Sequence, residues 1–257
     1  MDETYDKVNE AWKKTCRVLL GDEIGELKEF EDYLSRYTGG KNLWINKSAI
    51  SGKNVDRLIS KEFCKGAKFI RYDEQEEYNE LMLKEKIDIN KIKDLDSIVE
   101  NLSEKLYYTG SVVLGNSKNI IDSNQIVNSF FIYKSGVIID SKYMAYCLNV
   151  RRGEYMFGSW GTAVKFGINC QIDQFCNRCM ATISSTNCSD CYFTSNVENC
   201  NNLMFSFNQR NKHDMIGNRE LPKEKYLKLK EKLVGDIKET LKAKKTLPSV
   251  LELGDVK

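Results

Sequence analysis

Apolar residues recur three or four positions apart in the first part of the chain, which is the spacing of one helix face. One such stripe runs over residues 5–19 and a second over residues 24–34. The same spacing predicts two further helices, over residues 74–86 and 94–107. We therefore expect residues 1–108 to form a mostly helical N-terminal region.

The segment between these helices, residues 41–72, has a mixed pattern. Short apolar runs predict strands at residues 43–45 and 68–72, with a helix near residues 55–63 between them. No part of the N-terminal region has the spacing of catalytic groups. Its aromatic and leucine positions are therefore expected to form core.

The middle of the chain has a period of six residues. Serine occupies the same position in six consecutive units, and a cysteine continues the series: Ser111, Ser117, Ser123, Ser129, Ser135, Ser141 and Cys147. The position three residues later is always aliphatic or methionine: Leu114, Ile120, Ile126, Ile132, Ile138, Met144, Val150 and Met156. Asn or Asp commonly precedes the serine, as at Asp122 and Asn128.

A period of six favours a β-solenoid over a helix, because 3.6 residues per turn would scatter every sixth residue around the helix axis. Short strands separated by turns instead hold these residues in stacked columns. Asn or Asp suits the bend, since both tolerate a left-handed backbone. Two or three units would make a coil of 12 or 18 residues. The predicted fold class is α+β, with a mainly helical N-terminal region, a β-solenoid over residues 109–210, and a capping helix and tail over residues 211–257.

Cysteines continue the small-residue column in the second half of the repeat. The register breaks after Gly153 and resumes one position out, at Cys170, Cys176, Thr182, Cys188, Thr194, Cys200 and Ser206. Two further cysteines, Cys179 and Cys191, fall in the aliphatic position. The pairs 176–179 and 188–191 lie twelve residues apart, which favours a coil of 12.

The same four cysteines have the spacing of a zinc site. Cys176, Cys179, Cys188 and Cys191 form two Cys-x-x-Cys pairs, although the eight-residue separation is shorter than usual. The competing interpretation is a column of buried thiols, because free cysteine is among the most buried residue types. The alternation with Thr and Ser beyond the motif supports the column. The spacing is also compatible with a zinc site and, with less support, with disulfide bonds.

A basic amphipathic helix is predicted over residues 223–245. The segment holds nine Lys against four acidic residues, a net charge of +5. Such a helix can bind nucleic acid, membranes or acidic partners. Interspersed acidic residues are instead typical of a helix packed on its neighbour with solvated lysines.

Composition limits the possible functions. The 257 residues carry a net charge of only +2 and are 11% aromatic, which excludes general disorder and any broad electrostatic attraction to nucleic acid. The single histidine, His213, excludes a mechanism that needs two. We expect no membrane span and no secretory signal peptide. A cytoplasmic or virion-associated location is therefore expected.

Residues 123–233 resemble a family of uncharacterised Cys-rich short-repeat proteins of phages and candidate-phylum bacteria. The resemblance rests on four segments: 199–203 (Asn-Cys-Asn-Asn-Leu), 209–212 (Gln-Arg-Asn-Lys), 218–219 (Asn-Arg) and 223–226 (Lys-Glu-Lys-Tyr). Leu203 stands where the family has a second cysteine, and Arg219 replaces a lysine. The resemblance implies a solenoid-like fold and no particular activity.

These observations predict a non-enzymatic structural or interaction protein, an accessory component of a large assembly such as a virion. Its partners would be other proteins of that assembly. The alternative is a zinc-stabilised nucleic-acid-binding module that uses the four cysteines and the basic helix. Catalysis is not expected, because acyltransferases of this shape generally use a histidine and glycosidases need paired carboxylates.

Overall fold

The structure of the chain is a computed structural model that describes residues 3–36, 44–58, 66–84, 89–103, 105–145, 148–151, 153–158, 161, 164–170, 172–174, 176–181 and 184–252. At residues 144, 148–151, 172–174, 176, 184 and 185 it describes the backbone alone.

Helices lie at both ends of the chain, as predicted. Helix α1 (Glu3–Leu20) contains the first apolar stripe. The second stripe forms a single-turn 3-10 helix (Leu27–Phe30) that leads into α2 (Glu31–Ser35). The C-terminal helix, named α5 here, spans Lys223–Lys244 and ends where Lys245 adopts a left-handed φ of 56°.

Residues 44–110 form a small α+β unit. Its strands are β1 (Trp44–Lys47) antiparallel to β2 (Asn54–Arg57), and β3 (Lys68–Arg71) parallel to β4 (Tyr107–Gly110). Helices α3 (Gln75–Lys84) and α4 (Leu95–Ser103) lie between β3 and β4 in the chain, together with 3-10 turns at Tyr72–Glu74 and Ile89–Lys91. The prediction of a helix near residues 55–63 is wrong for residues 55–57. These residues belong to β2, which pairs with β1 and buries Val55, Asp56 and Arg57. Residues 59–65 lie outside the described part.

The predicted β-solenoid is confirmed, with about seven turns over residues 113–216. Strands alternate between two faces. The odd face contains β5 (Val113–Leu114), β7 (Asn124–Val127), β9 (Gly136–Ile139), β11 (Leu148–Arg151), β13 (Ile172–Gln174), β15 (Ser184–Thr186), β17 (Ser195–Glu198) and β19 (Phe207–Arg210). The even face contains β6 (Lys118–Ile121), β8 (Phe130–Tyr133), β10 (Lys142–Ala145), β12 (Val164–Lys165), β14 (Cys176–Asn177), β16 (Ser189–Tyr192), β18 (Asn201–Met204) and β20 (His213–Ile216).

Each coil has twelve residues. Parallel pairs such as Lys142 with Phe130, and Leu203 with Cys191, join positions twelve apart. One coil is shorter: Glu154 pairs with Lys142, twelve residues before it, and with Lys165, eleven residues after it. This missing residue explains why the register resumes one position out.

Left-handed backbone recurs at every third residue of the coils. The residue before the small one has φ near +50° at Asp122, Asn128 and Asp140, as the sequence predicts. The residue two positions after the small one has the same sign, including Phe131 and the β-branched Val137. Bulky side chains disfavour this conformation, so the parallel pairing of the coils must maintain it.

The interior of the solenoid is filled by the aliphatic column. Ile126, Ile132 and Ile138 are fully buried, and they belong to one cluster with Val197, Leu203 and the buried cysteines. Small side chains stack beside this column. Interior space is therefore occupied by side chains through the described coils.

The helices pack along the even face. Its outward residues Ala145, Phe157, Ile168, Met180, Tyr192 and Met204 share one buried cluster with residues of α1, α2 and α5. Tyr192 also donates its hydroxyl to the backbone oxygen of Leu19, 3.0 Å away. Ion pairs of Lys242 with Asp22 and of Lys245 with Glu29, both at 2.7 Å, join α5 to the N-terminal residues.

Other parts of the chain cover the ends of the solenoid. A short strand β21 (Arg219–Glu220) pairs antiparallel with β20 and covers its edge. At the other end, the backbone N–H of Asp56 donates to Ser111 Oγ at 2.9 Å, and Ser111 N–H donates to Asp56 O at 2.7 Å. The 44–110 unit is thereby attached to the first coil.

Two adjacent isoleucines of β9 test the interior. Ile138 is fully buried, whereas Ile139 is 37% exposed on the odd face. Ile138→Ala should lower the free energy of unfolding by about 2–5 kcal/mol, because it leaves a cavity in the column. Ile139→Ala should cost less than about 1 kcal/mol. Urea unfolding followed by circular dichroism compares the two, and equal losses would contradict the assignment of the faces.

The buried carboxylate of Asp56, beside the first coil, should make the stability of the protein depend on pH. Burial raises the pKa of Asp56, although the Ser111 hydroxyl donates to it. Its contribution to stability is therefore fully present below the usual aspartate pKa of about 4 and is lost as pH rises through the raised value. Asp56→Asn should be more stable than the parent at pH 7, and the difference should shrink towards pH 4. Urea titrations of both proteins across this range measure it, and a difference independent of pH would contradict the prediction.

Candidate functional site

The serine column links one coil to the next. The Ser129 hydroxyl donates to the backbone oxygen of Val127 at 2.7 Å and accepts the backbone N–H of Ser141 at 3.1 Å. The same pair of bonds recurs at Ser123, which accepts the N–H of Ser135, and at Ser141, which accepts that of Gly153. A small hydroxyl is required here because it satisfies two backbone groups in a confined space.

Cysteine takes over this position in the later coils. Cys188 Sγ lies 3.4 Å from the backbone oxygen of Thr186, and Cys200 Sγ lies 3.1 Å from that of Glu198. Both repeat the serine bond to the residue two before. The backbone N–H of Cys200 also bonds to the Cys188 sulfur, as Ser141 does to Ser129. These two cysteines therefore continue the serine column.

Two further thiols lie in the interior of the solenoid. Cys179 and Cys191 are almost fully buried in the aliphatic column, where the sequence placed them. A hydrogen bond with the Cys191 thiol lowers the pKa of Cys188 to about 7, against the effect of burial. Cys16, Cys170, Cys179, Cys188, Cys191 and Cys200 are all thiols rather than disulfides.

The four-cysteine zinc hypothesis stays a prediction. Cys179, Cys188 and Cys191 line the interior of neighbouring coils, whereas the side chain of Cys176 lies outside the described part. Within the described residues, no three His, Cys, Asp or Glu side chains gather closely enough to hold a metal ion. The geometry at Cys188 and Cys200 is that of a backbone-bonded column.

Asparagine side chains pair between adjacent coils, both on the odd face and in the turn that follows it. Asn196 donates its amide to Asn208 at 2.8 Å, and Asn187 donates to Asn199 at 3.4 Å. Each pair is twelve residues apart, so the side chains lie one above the other on adjacent coils. Glu198 and Arg210 form an ion pair at 3.0 Å beside them. These side chains of the later coils are therefore polar and bond to one another between coils.

Aromatic rings stack along the even face. Phe131, Tyr143, Tyr155 and Phe166 form successive stacked pairs with centroids 5.3–5.5 Å apart. Their faces cover one another, and the first three pack against the helix cluster. Sugar or base stacking needs an open ring face. The stack therefore stabilises the helix–solenoid contact. Its signal in the sequence is the spacing of the four aromatic residues by twelve, twelve and eleven positions.

Two further polar clusters, one in the 44–110 unit and one in β20, pair within the molecule. The Glu74 carboxylate accepts hydrogen bonds from Ser48 at 2.6 Å, from the Ser51 hydroxyl and from the Arg71 backbone N–H. These bonds outweigh burial and lower its pKa. His213 is 64% exposed at its side chain and lies 3.2 Å from Asp214.

The basic helix combines packing with an exposed lysine-rich end. Tyr226, Ile237 and Leu241 are buried against the rest of the molecule. In the first half of α5, Lys223, Lys225, Lys228 and Lys232 are exposed together with Leu227 and Leu229. Across the described residues, no helix is long and apolar enough to cross a membrane.

Comparison with protein-family models, with curated proteins and with solved structures finds no match. The resemblance to phage and candidate-phylum repeat proteins therefore stays a prediction.

The contribution of the serine column to stability can be tested at Ser129. Ser129→Ala removes a donor to the partly buried Val127 oxygen and the acceptor of the buried Ser141 N–H. The free energy of unfolding should fall by about 1–3 kcal/mol. Ser195→Ala is the control, because Ser195 lies outside the small-residue column and is partly exposed; it should change stability by less than about 0.5 kcal/mol. Similar effects in both variants would contradict a special role for the column.

Proposed function

We propose that this chain is a non-enzymatic structural or interaction protein and an accessory component of a large assembly such as a virion. The observation that carries the proposal is the division of the solenoid into two faces. The even face is covered by the protein's own helices, whereas the described odd face exposes the hydrogen-bonded pair Asn196 and Asn208. A rigid repeat of this kind offers a binding surface that needs no ordering when a partner binds.

The filled interior supports a binding role over catalysis. Interior positions are taken by isoleucine, leucine and cysteine side chains that pack against one another. The carboxylates described on the odd face serve bonds of the coil surface, as Glu198 does with Arg210. Enzyme sites instead combine a cavity with convergent reactive groups.

Site-specific photocrosslinking in the cells that naturally carry the chain tests the proposal. A photoreactive residue is placed at Asn196 or Asn208 on the odd face, and at exposed Val18 on α1 as the control. Both odd-face positions should capture the same protein, in a fraction that sediments as a large particle. The Val18 position should capture much less of it.

Two results would overturn the proposal. The chain could sediment as a lone monomer with no crosslinked product from either odd-face position. Alternatively, it could retard DNA or RNA in a salt-sensitive manner without a protein partner, which would favour the nucleic-acid-binding alternative.

A further inference from the structure

Helices α3 and α4 leave an apolar surface without cover. Neither helix contains a buried residue. Leu83 is 71% exposed, Ile89 79%, Leu95 75% and Val99 56%. Four large apolar side chains exposed on one small unit favour an interaction surface over single, scattered apolar residues. We call Leu83, Ile89, Leu95 and Val99 the α3–α4 surface.

This surface is acidic. Helices α3 and α4, with the described residues 89–94 between them, contain six acidic residues against three lysines, a net charge of −3: Glu76, Glu77, Glu80, Asp94, Asp96 and Glu100 against Lys84, Lys91 and Lys93. Two copies that met through the same surface would bring these carboxylates together. A symmetric dimer of this surface with itself is therefore disfavoured.

The first half of α5 has the complementary character. Residues 223–232 contain five Lys and two Glu, a net charge of +3. Leu227 is 50% exposed and Leu229 36%. We call residues 223–232 the α5 surface. It presents leucines within a basic rim, as the α3–α4 surface presents apolar residues within an acidic one.

The two surfaces lie at opposite ends of the solenoid. The 44–110 unit is bonded to the first coil through Ser111, whereas α5 begins three residues after β21, which pairs with β20 in the last coil. One molecule therefore cannot bring its own two surfaces together. A second copy can, and the contact then repeats from chain to chain.

We propose that the α3–α4 surface of one copy binds the α5 surface of a second copy, so that the chain self-associates head to tail along the solenoid. This inference rests on the proposed role in an assembly and names one of its contacts. Because the two contacting surfaces differ, the association does not stop at a dimer, and it forms rings or filaments according to the rotation between copies.

Sedimentation velocity of the purified full-length chain gives the first test. The average mass should rise with protein concentration at ~50 mM salt and fall at ~500 mM salt, where the charges are screened. Leu95→Glu with Val99→Glu should weaken association at least about tenfold, since it places charge in an apolar contact. Lys225→Glu with Lys228→Glu should have the same effect. Val18→Glu and Lys165→Glu, exposed positions outside both surfaces, are the matched controls and should leave it unchanged.

Mixing the two double variants gives the decisive test. Each keeps one intact surface, so each alone should be monomeric. An equimolar mixture should form a complex of two chains that grows no further. Circular dichroism of both variants should match that of the parent, which separates lost association from lost folding.

Three outcomes would overturn the inference: a parent chain that stays monomeric at low salt, association that survives both double variants, or variants that fail to complement each other. If the parent stays monomeric while the odd face still captures its partner, the assembly role survives and only the self-association is lost. If the chain self-associates as expected but the odd face captures nothing, the assembly role fails and the self-association stands.

Discussion

The structure depends on one constraint: each coil must place a small hydrogen-bonding side chain above the same kind of side chain in the previous coil. The serine hydroxyl bonds a backbone oxygen of its own turn and a backbone N–H twelve residues on. This pair of bonds satisfies the backbone at the turn while the strands pair in parallel. A larger residue would not fit between the coils, and alanine would leave buried groups unsatisfied. The column therefore sets both the turn and the stacking distance.

The outer surface follows from the same geometry. Once coils are stacked at twelve-residue intervals, every outward position also forms a column. On the even face these columns carry aromatic and aliphatic side chains, which the terminal helices bury together with their own apolar stripes. On the odd face they include Asn196 and Asn208, which bond to each other. The even face thus supplies stability through the helices that cover it, whereas the odd face is bonded within its own columns.

The cysteine spacing has a second explanation in a repeat protein. Two Cys-x-x-Cys pairs twelve residues apart resemble a metal site when taken alone. In the solenoid, Cys188 and Cys200 repeat the bonds of the serine column, and Cys179 and Cys191 lie in the aliphatic column. Any two residues three apart recur at this spacing when the fold repeats every twelve residues. The spacing therefore follows from the repeat and does not by itself indicate a ligand set.

Local pattern was sufficient for the helices at both ends, the six-residue unit and the small and aliphatic columns, because each depends on residues close together in the chain. The residues before the serines predicted the left-handed bends for the same reason. The separation of the cysteine pairs favoured a coil of twelve residues, and the strand pairing confirms it. The structure alone showed that the helices cover the even face, that residues 54–57 form a strand, and that α4 exposes Leu95 and Val99. These features depend on contacts between residues far apart in sequence. An amphipathic stripe such as that of α4 shows that an apolar face exists, but only the packed fold decides whether that face is buried or left for another molecule.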